Sequence, residues 1–190
     1  MLLSLCDFAA LREMPLILFW GANMDLLEGL HTRRSIRKFT DQPVTREQLR
    51  EIIKAGTMAP SGLNNQPWRF VTIQNKDLLH KLSSLTKYSH VIDKAPACIV
   101  VFIDKEAMYH ETKDHQSMGA CIQNMLLAAH GMGLGGVWLG EILKSAKQVR
   151  ELCGLSDQYE LMAVVALGHP EGKGGMAERK PIGDVILKEL

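Results

Sequence analysis

Ala59-Pro60-Ser61-Gly62-Leu63-Asn64-Asn65-Gln66-Pro67-Trp68 is the stretch on which the reading of this chain turns. Prolines bound it, and its interior is amide, hydroxyl and glycine, the composition of a turn. Trp68 follows Pro67 directly before a strand pattern, Arg69 to Gln74, so a large apolar side chain anchors the loop at its far end. A surface loop held in this way while offering many amides suits the edge of a flat polar ring. Upstream lies a complement, Arg33-Arg34-Ser35-Ile36-Arg37-Lys38, with four cations in six residues. Taken alone, that run reads equally as a solvated helix end favoured by the macrodipole or as a phosphate clamp. Guanidinium forks bind phosphate bidentately, and Ser35 adds a hydroxyl. One arginine about 4 Å from a phosphate charge gains roughly 4 kcal/mol at an effective dielectric near 20, before desolvation. Together the two stretches point to a phosphorylated ring cofactor.

The neighbouring sequence supports both. Asp25 and Glu28, at capping-box spacing, open a helix over Leu26, Leu27 and Leu30 that delivers the basic run at its C-terminal end. Thr45 and Gln48 form a second capping box, Leu49, Ile52, Ile53 and Gly56 mark one helical face, and Pro60 forbids continuation. Asp77 to Thr86 carries leucines at helical spacing. Ala97 to Ile103 is a continuous apolar run and reads as a buried central strand. Asp114 to Met132 is the longest helix, with Asp114 as its N-cap. From Ser117 to Leu134 it is apolar almost all round, which predicts burial on every side and a second copy of the chain against half of it. Ser145 and Gln148 cap a further helix with Val149, Leu152 and Cys153 inward. Leu161 to Leu167 is another buried strand, and Gly172 to Gly175 a flexible loop before Arg179-Lys180-Pro181. Helices and strands mix without a βαβ rhythm, the pattern of an α+β fold.

Composition narrows the rest. The chain has 190 residues and a net charge of +1, so it carries no global field for nucleic acid or an anionic membrane. One domain over 24–190 is expected, with 1–23 an extension outside it. That extension has neither a basic n-region nor a clear cleavage site, and its apolar runs fall short of the roughly 18–20 residues a bilayer requires. The four cysteines form no C-x-x-C pair and read as buried thiols of a cytoplasmic protein. Gly131, Gly133 and Gly136 match G-x-G-x-x-G, but a helix precedes them, so they read as a helix end and a close turn. His110-Glu111 and Asp114-His115 miss the H-E-x-x-H spacing by one residue, and no metal site is expected. No nucleophile elbow, Walker loop or hydrolase triad stands out.

With these residues assembled, the chain resembles the nitroreductase family of FMN-dependent oxidoreductases. The markers are R-R-S-I-R at Arg33 to Arg37, A-P-S-G-L-N-N-Q-P-W at Ala59 to Trp68, G-L-G-G-V-W-L-G at Gly133 to Gly140 and R-K-P at Arg179 to Pro181. The resemblance spans Asp25 to about Val185. It implies a central, mostly antiparallel sheet flanked by helices, and an intertwined homodimer with FMN at the interface. By position, Arg33, Arg34, Ser35 and Arg37 would hold FMN through its phosphate and the N1/O2 side of the ring, with Arg179 and Lys180 approaching the phosphate. Pro60, Ser61, Gly62, Asn64 and Gln66 would reach the flavin from the other subunit. Trp138, Leu139 and Gly140 would lie beside the ring near N5. The implied activity is ping-pong hydride transfer from NAD(P)H, a transient donor, through N5 to a nitroaromatic, quinone or similar small acceptor. A cation such as Arg37 would favour the reduced flavin, and 1–2 kcal/mol of such preference is roughly 20–45 mV. No protein acid or base is assigned. A flavin enzyme of the same family with a dedicated dehalogenating or flavin-cleaving role is the alternative, although the short interval from Leu78 to Ala97 lacks the helical lid of the deiodinases. A nucleic-acid-binding module using 33–38 is disfavoured by 6% aromatic content, which leaves few stacking partners.

Overall fold

The apolar run at Ala97 lies where a stretch without polar alternation must, inside a sheet covered on both faces. In the computed structural model, which describes residues 24–175 and 178–190, strand β2 (Ala97–Asp104) is buried at every position. It pairs antiparallel with β1 (Trp68–Ile73) on one side and β4 (Tyr159–Gly168) on the other; β3 (Gly135–Leu139) completes the order β1-β2-β4-β3. Alternate side chains feed two cores. Ile99, Val101, Ile103, Val165 and Leu167 face helices α2 (Arg46–Thr57) and α5 (Glu111–Gly131). Cys98, Val100, Phe102, Val164 and Ala166 face α3 (Lys76–Ser83), α4 (Ser89–Ile92) and α6 (Ala146–Leu152). The α+β expectation is met: an antiparallel sheet between two helical layers. The short helices α1 (Leu26–Thr32) and α7 (Ile182–Val185) lie near the ends of the described chain.

Local chemistry accounts for most boundaries. Thr45 and Gln48 make both halves of the capping box, with the Gln48 amide N–H donating to the Thr45 hydroxyl at 3.1 Å and the Thr45 N–H to the Gln48 side chain at 2.8 Å. Asp25 accepts from the Leu27 and Glu28 amides. Gly56 lets α2 approach α5: a Cβ there would lie 2.7 Å from Met125 Cγ. Gly133, at φ +74°, ends α5 in the left-handed region, as the glycine-rich sequence predicts, and β3 follows.

Four expectations are corrected. Strand β1 begins at Trp68, one residue early, and α3 stops at Ser83, because Thr86 is held elsewhere by Glu141. Helix α5 begins at Glu111, with His110 at its cap. Asp114 is not a solvated cap but a fully buried residue of the first turn. Ser145 stands at the start of α6 without a side-chain capping bond, because the chain enters through a 3-10 turn, Glu141–Ser145, rather than from extended backbone.

Helix α5 buries Met118, Cys121, Ile122, Met125, Leu126 and Ala129, while its other face, including Gly119, Gln123, Asn124 and Leu127, is only half-covered by the chain itself. Leu26, Leu27 and Leu30 of α1 are exposed. No described helix is long and apolar enough to cross a membrane. The N-terminal extension, 1–23, lies outside the described residues.

Candidate functional site

After α1 the chain straightens and runs along the open edge of β3. Ser35 pairs with Gly136, the Ile36 amide donates to the Gly136 carbonyl at 3.1 Å, and Phe39 pairs with Pro170. Extended backbone alternates its side chains. Arg34 and Ile36 turn towards Gly174, where an added Cβ would meet Arg34 Cβ at 2.6 Å and Ile36 Cδ1 at 3.0 Å. The Arg34 guanidinium donates to the carbonyls of His31 (2.7 Å) and Arg33 (2.8 Å), closing the end of α1. Arg34 thus fulfils the helix-end role that the basic run also suggested.

Arg33 is half-buried, and its guanidinium lies below the usual range through burial first, then the neighbouring charges of Arg179 and Arg34. Among the described residues, none of Arg33, Arg34, Arg37, Arg179 or Lys180 meets an acidic side chain at ion-pair distance. Cations gathered without a counter-charge repel one another, and an anion between them removes that repulsion. A cleft of about 340 Å3 adjoins, lined by Ser35 to Lys38 and Glu171 to Gly175. A larger cleft of about 490 Å3, bordered by Thr40, Gln74, His80 and Asp93, contains none of the sequence-predicted residues; volume alone does not locate the chemistry.

His130, in the last turn of α5, belongs beside the basic group. Its Nε2 lies 2.9 Å from Thr32 Oγ1, whose own proton goes to the Glu28 carbonyl at 2.7 Å. The Thr32 oxygen can therefore only accept, which makes Nε2 the N–H of the neutral ring. Burial, then Arg33 and Arg34, hold His130 below the usual histidine range, against a smaller opposing pull from Glu28.

Farther along the same edge, Trp138 is 41% exposed, with its indole over Gly119 of α5 and beside Gly140. Leu139 is buried, and Gly140 leads into the Glu141–Ser145 turn. Glu141 pins that corner: its carboxylate pairs with Lys144 and accepts from the Thr86 hydroxyl (2.6 Å) and the Lys87 amide (3.1 Å). Hydrogen bonding from Lys144 and Thr86 brings it down to about 2.

The proline-bounded loop lies at the other end of α5. Leu63, Asn64 and Gln66 all have left-handed φ, between +47° and +55°, a region that non-glycine residues rarely adopt unless held. Ser61 Oγ accepts from the Gln66 amide at 3.1 Å, and Pro67 and Trp68 are buried beneath. Pro60, Leu63, Asn64 and Gln66 face outward, while Asn65 turns in and donates to Ala107 O (3.0 Å) and Asp114 Oδ1 (2.7 Å). The Tyr109 ring lies on Gly62, where any Cβ would overlap it. The loop is tied to α5 at Asp114, and the basic run at His130, sixteen residues on, a separation of roughly 24 Å along the axis. Within one chain the structure gathers Arg33, Arg34, Ser35, Arg37, Trp138, Leu139, Gly140 and Arg179 along one edge, with Lys180 exposed next to Arg179. It sets Pro60, Ser61, Gly62, Asn64 and Gln66 apart from the basic residues, with Trp138, over Gly119, between the two along α5. Asn65, Glu141 and His130 are not legible as site residues in the sequence, because each acts through a distant partner.

Residues 30–87 and 79–169 match the profile of the nitroreductase family. A protein of Archaeoglobus fulgidus bearing the name NADH dehydrogenase/NAD(P)H nitroreductase is 36% identical over 150 residues, 77% of this chain and 86% of the relative. The chain belongs to the nitroreductase family. A nitroreductase-type protein from Desulfovibrio desulfuricans, crystallised with FMN, superposes with a TM-score of 0.82 at 45% identity, covering 86% of this chain and 96% of that one. The NADPH:FMN oxidoreductase of Vibrio harveyi, solved with NAD+, gives 0.78 at 31% identity over 86% and 76%. The antiparallel sheet between helical layers is thus the nitroreductase fold, and the protein is an oxidoreductase of that family.

Proposed function

We propose that this nitroreductase-family protein is a homodimer that holds FMN between its copies, takes hydride from NAD(P)H and passes it to a small nitroaromatic, quinone or related acceptor. The observation that carries the reading is Arg33, half-buried beside Arg179 and Arg34 with no acidic partner among the described residues. The donor set fits a phosphate monoester: a guanidinium fork at Arg33, the Ser35 hydroxyl, and Arg179 with Lys180 across from them. Arg37, two residues along the extended strap from Ser35, supplies positive charge to the N1/O2 side of the ring. Trp138, Leu139 and Gly140 flank the ring, held in place by Glu141 behind them. Pro60, Ser61, Gly62, Asn64 and Gln66 come from the second copy, which explains why one chain separates them from the clamp by most of the length of α5. FMN, when bound, supplies reversible hydride acceptance at N5, so donor and acceptor use one cleft in turn. The chain's own part is to neutralise the phosphate, orient the ring and stabilise negative charge at N1 through Arg37.

Purified protein should release about one FMN per chain on denaturation, and NADH or NADPH should bleach the bound flavin without oxygen, with a nitroaromatic or quinone restoring the colour. A colourless protein that takes up no added FMN removes the reading.

A further inference from the structure

Asp114 is a charge in an unusual place. It is 0% exposed, and no lysine or arginine pairs with it among the described residues. A buried carboxylate of this kind persists only where hydrogen bonds replace water. Three do: Asn65 Nδ2 to Oδ1 at 2.7 Å, and the amides of Tyr109 and His110 to Oδ2 at 2.9 and 2.8 Å. Burial raises its pKa; the bonds from His110, Asn65 and Tyr109 outweigh burial and hold it below the usual carboxylate range.

One of these bonds reaches the proline-bounded loop directly, and a second fixes Tyr109, whose ring packs on that loop. Asn65 is flanked by left-handed Asn64 and Gln66 and itself has φ −71°. Its Oδ1 is buried with no partner, so the amide is oriented wholly by what its nitrogen donates to, Asp114 and the Ala107 carbonyl. Flipped, it would set oxygen against a carboxylate and a carbonyl. The bond to the Tyr109 amide fixes the residue whose ring covers Gly62. One carboxylate therefore grips the loop from beneath and from the side, and what faces outward is Asn64 and Gln66, with Ser61 half-buried beside them.

We propose that Asp114 and Asn65 are positioning residues for the flavin ring: they lock the Ser61–Gln66 turn, before any ligand arrives, in the strained shape that presents its amides and hydroxyl to FMN on the partner copy. This rests on the reading of that loop as a ring contact. The lock acts on the ring end of the cofactor, and the arginines act on the phosphate end. The two roles have different spectroscopic consequences, because only the ring absorbs visible light.

The test compares wild type with Asn65→Leu, which keeps the size and deletes the donor, and Asp114→Asn, which keeps the shape and deletes the charge. FMN affinity is measured well below the unfolding temperature, together with the visible band and midpoint potential of the bound flavin. Loss of a hydrogen bond to a charged group should weaken FMN binding about tenfold or more in N65L, and the visible band and the potential should shift. Arg33→Ala should weaken binding while leaving the band unchanged. N65L and D114N that melt earlier yet bind FMN within twofold of wild type, with band and potential unchanged, would overturn the lock and leave the flavin reading standing. Wild type that takes up no FMN would overturn both. If N65L does not fold, D114N alone decides on the same readouts.

Discussion

Arg33 and His130 are both pushed down by burial and the surrounding cations, and that gives two measurements. Replacing Arg33 with alanine removes a repelling cation from the empty protein and a phosphate ligand from the loaded one. FMN should bind roughly ten- to hundredfold more weakly, the equivalent of about 1.5–3 kcal/mol for a charged hydrogen bond. The apo protein should melt no earlier than wild type; a fall in both would mean Arg33 is a packing residue. His130 is held below the ordinary histidine value of 6.5 by burial, Arg33 and Arg34. In the apo protein the unfolded chain therefore takes up the proton first as pH falls through that value, so this group contributes stability above it that is lost on acidification. A phosphate among the arginines offsets their charge and raises His130 again. FMN binding near pH 6.5 should take up more protons in wild type than in His130→Gln, as read by calorimetry in buffers of different ionisation heat. Equal uptake would place His130 outside the field of the clamp.

Among the elements, the proline-bounded loop and α5 behave as one unit. Gly62→Ala drives a Cβ into the Tyr109 ring, and overpacking of this kind costs about 1–3 kcal/mol. Tyr109→Ala in the same chain should recover much of the lost melting temperature; additive losses would mean the two do not meet. What was legible in the sequence follows the same division. The capping box at Thr45, the apolar run at Ala97 and the glycines closing α5 are decided by neighbours within a few residues, and they stand as expected. The basic run and the proline-bounded loop stand out as candidates in the sequence because each is a consecutive set of unusual donors. Asp114 was misread as a solvated cap because its partner Asn65 lies 49 positions away, and nothing in the helix-start pattern marks a carboxylate turned inward. Ser145 failed as a cap because a 3-10 turn upstream changes the entry of the chain, and local composition does not show that.

For the whole molecule, the decisive question is the number of copies. One face of α5 is half-covered, Leu26, Leu27 and Leu30 are exposed, and the tail leaves Ile182 and Val185 exposed and Leu187 99% exposed. In the proposed homodimer these apolar side chains are what a second copy would cover. Light scattering should therefore report twice the 21.2 kDa of one chain at micromolar concentration. Replacing Leu187 and Leu190 together with serine should raise the dissociation constant of the dimer and release FMN in parallel. A monomer that keeps its FMN would end the shared-site reading. The antiparallel sheet and its two cores need no partner for their own burial, so a dissociated subunit should keep its far-ultraviolet dichroism.

Helix α5 joins Asp114 at one end to His130 at the other with no break between. In the proposed pair of copies, each such rod would run from the tail of one bound nucleotide to the isoalloxazine of its twin. Neither pocket then empties in isolation: fraying at either tip of that rod is felt by both occupants, and the two flavins should be lost together rather than one by one.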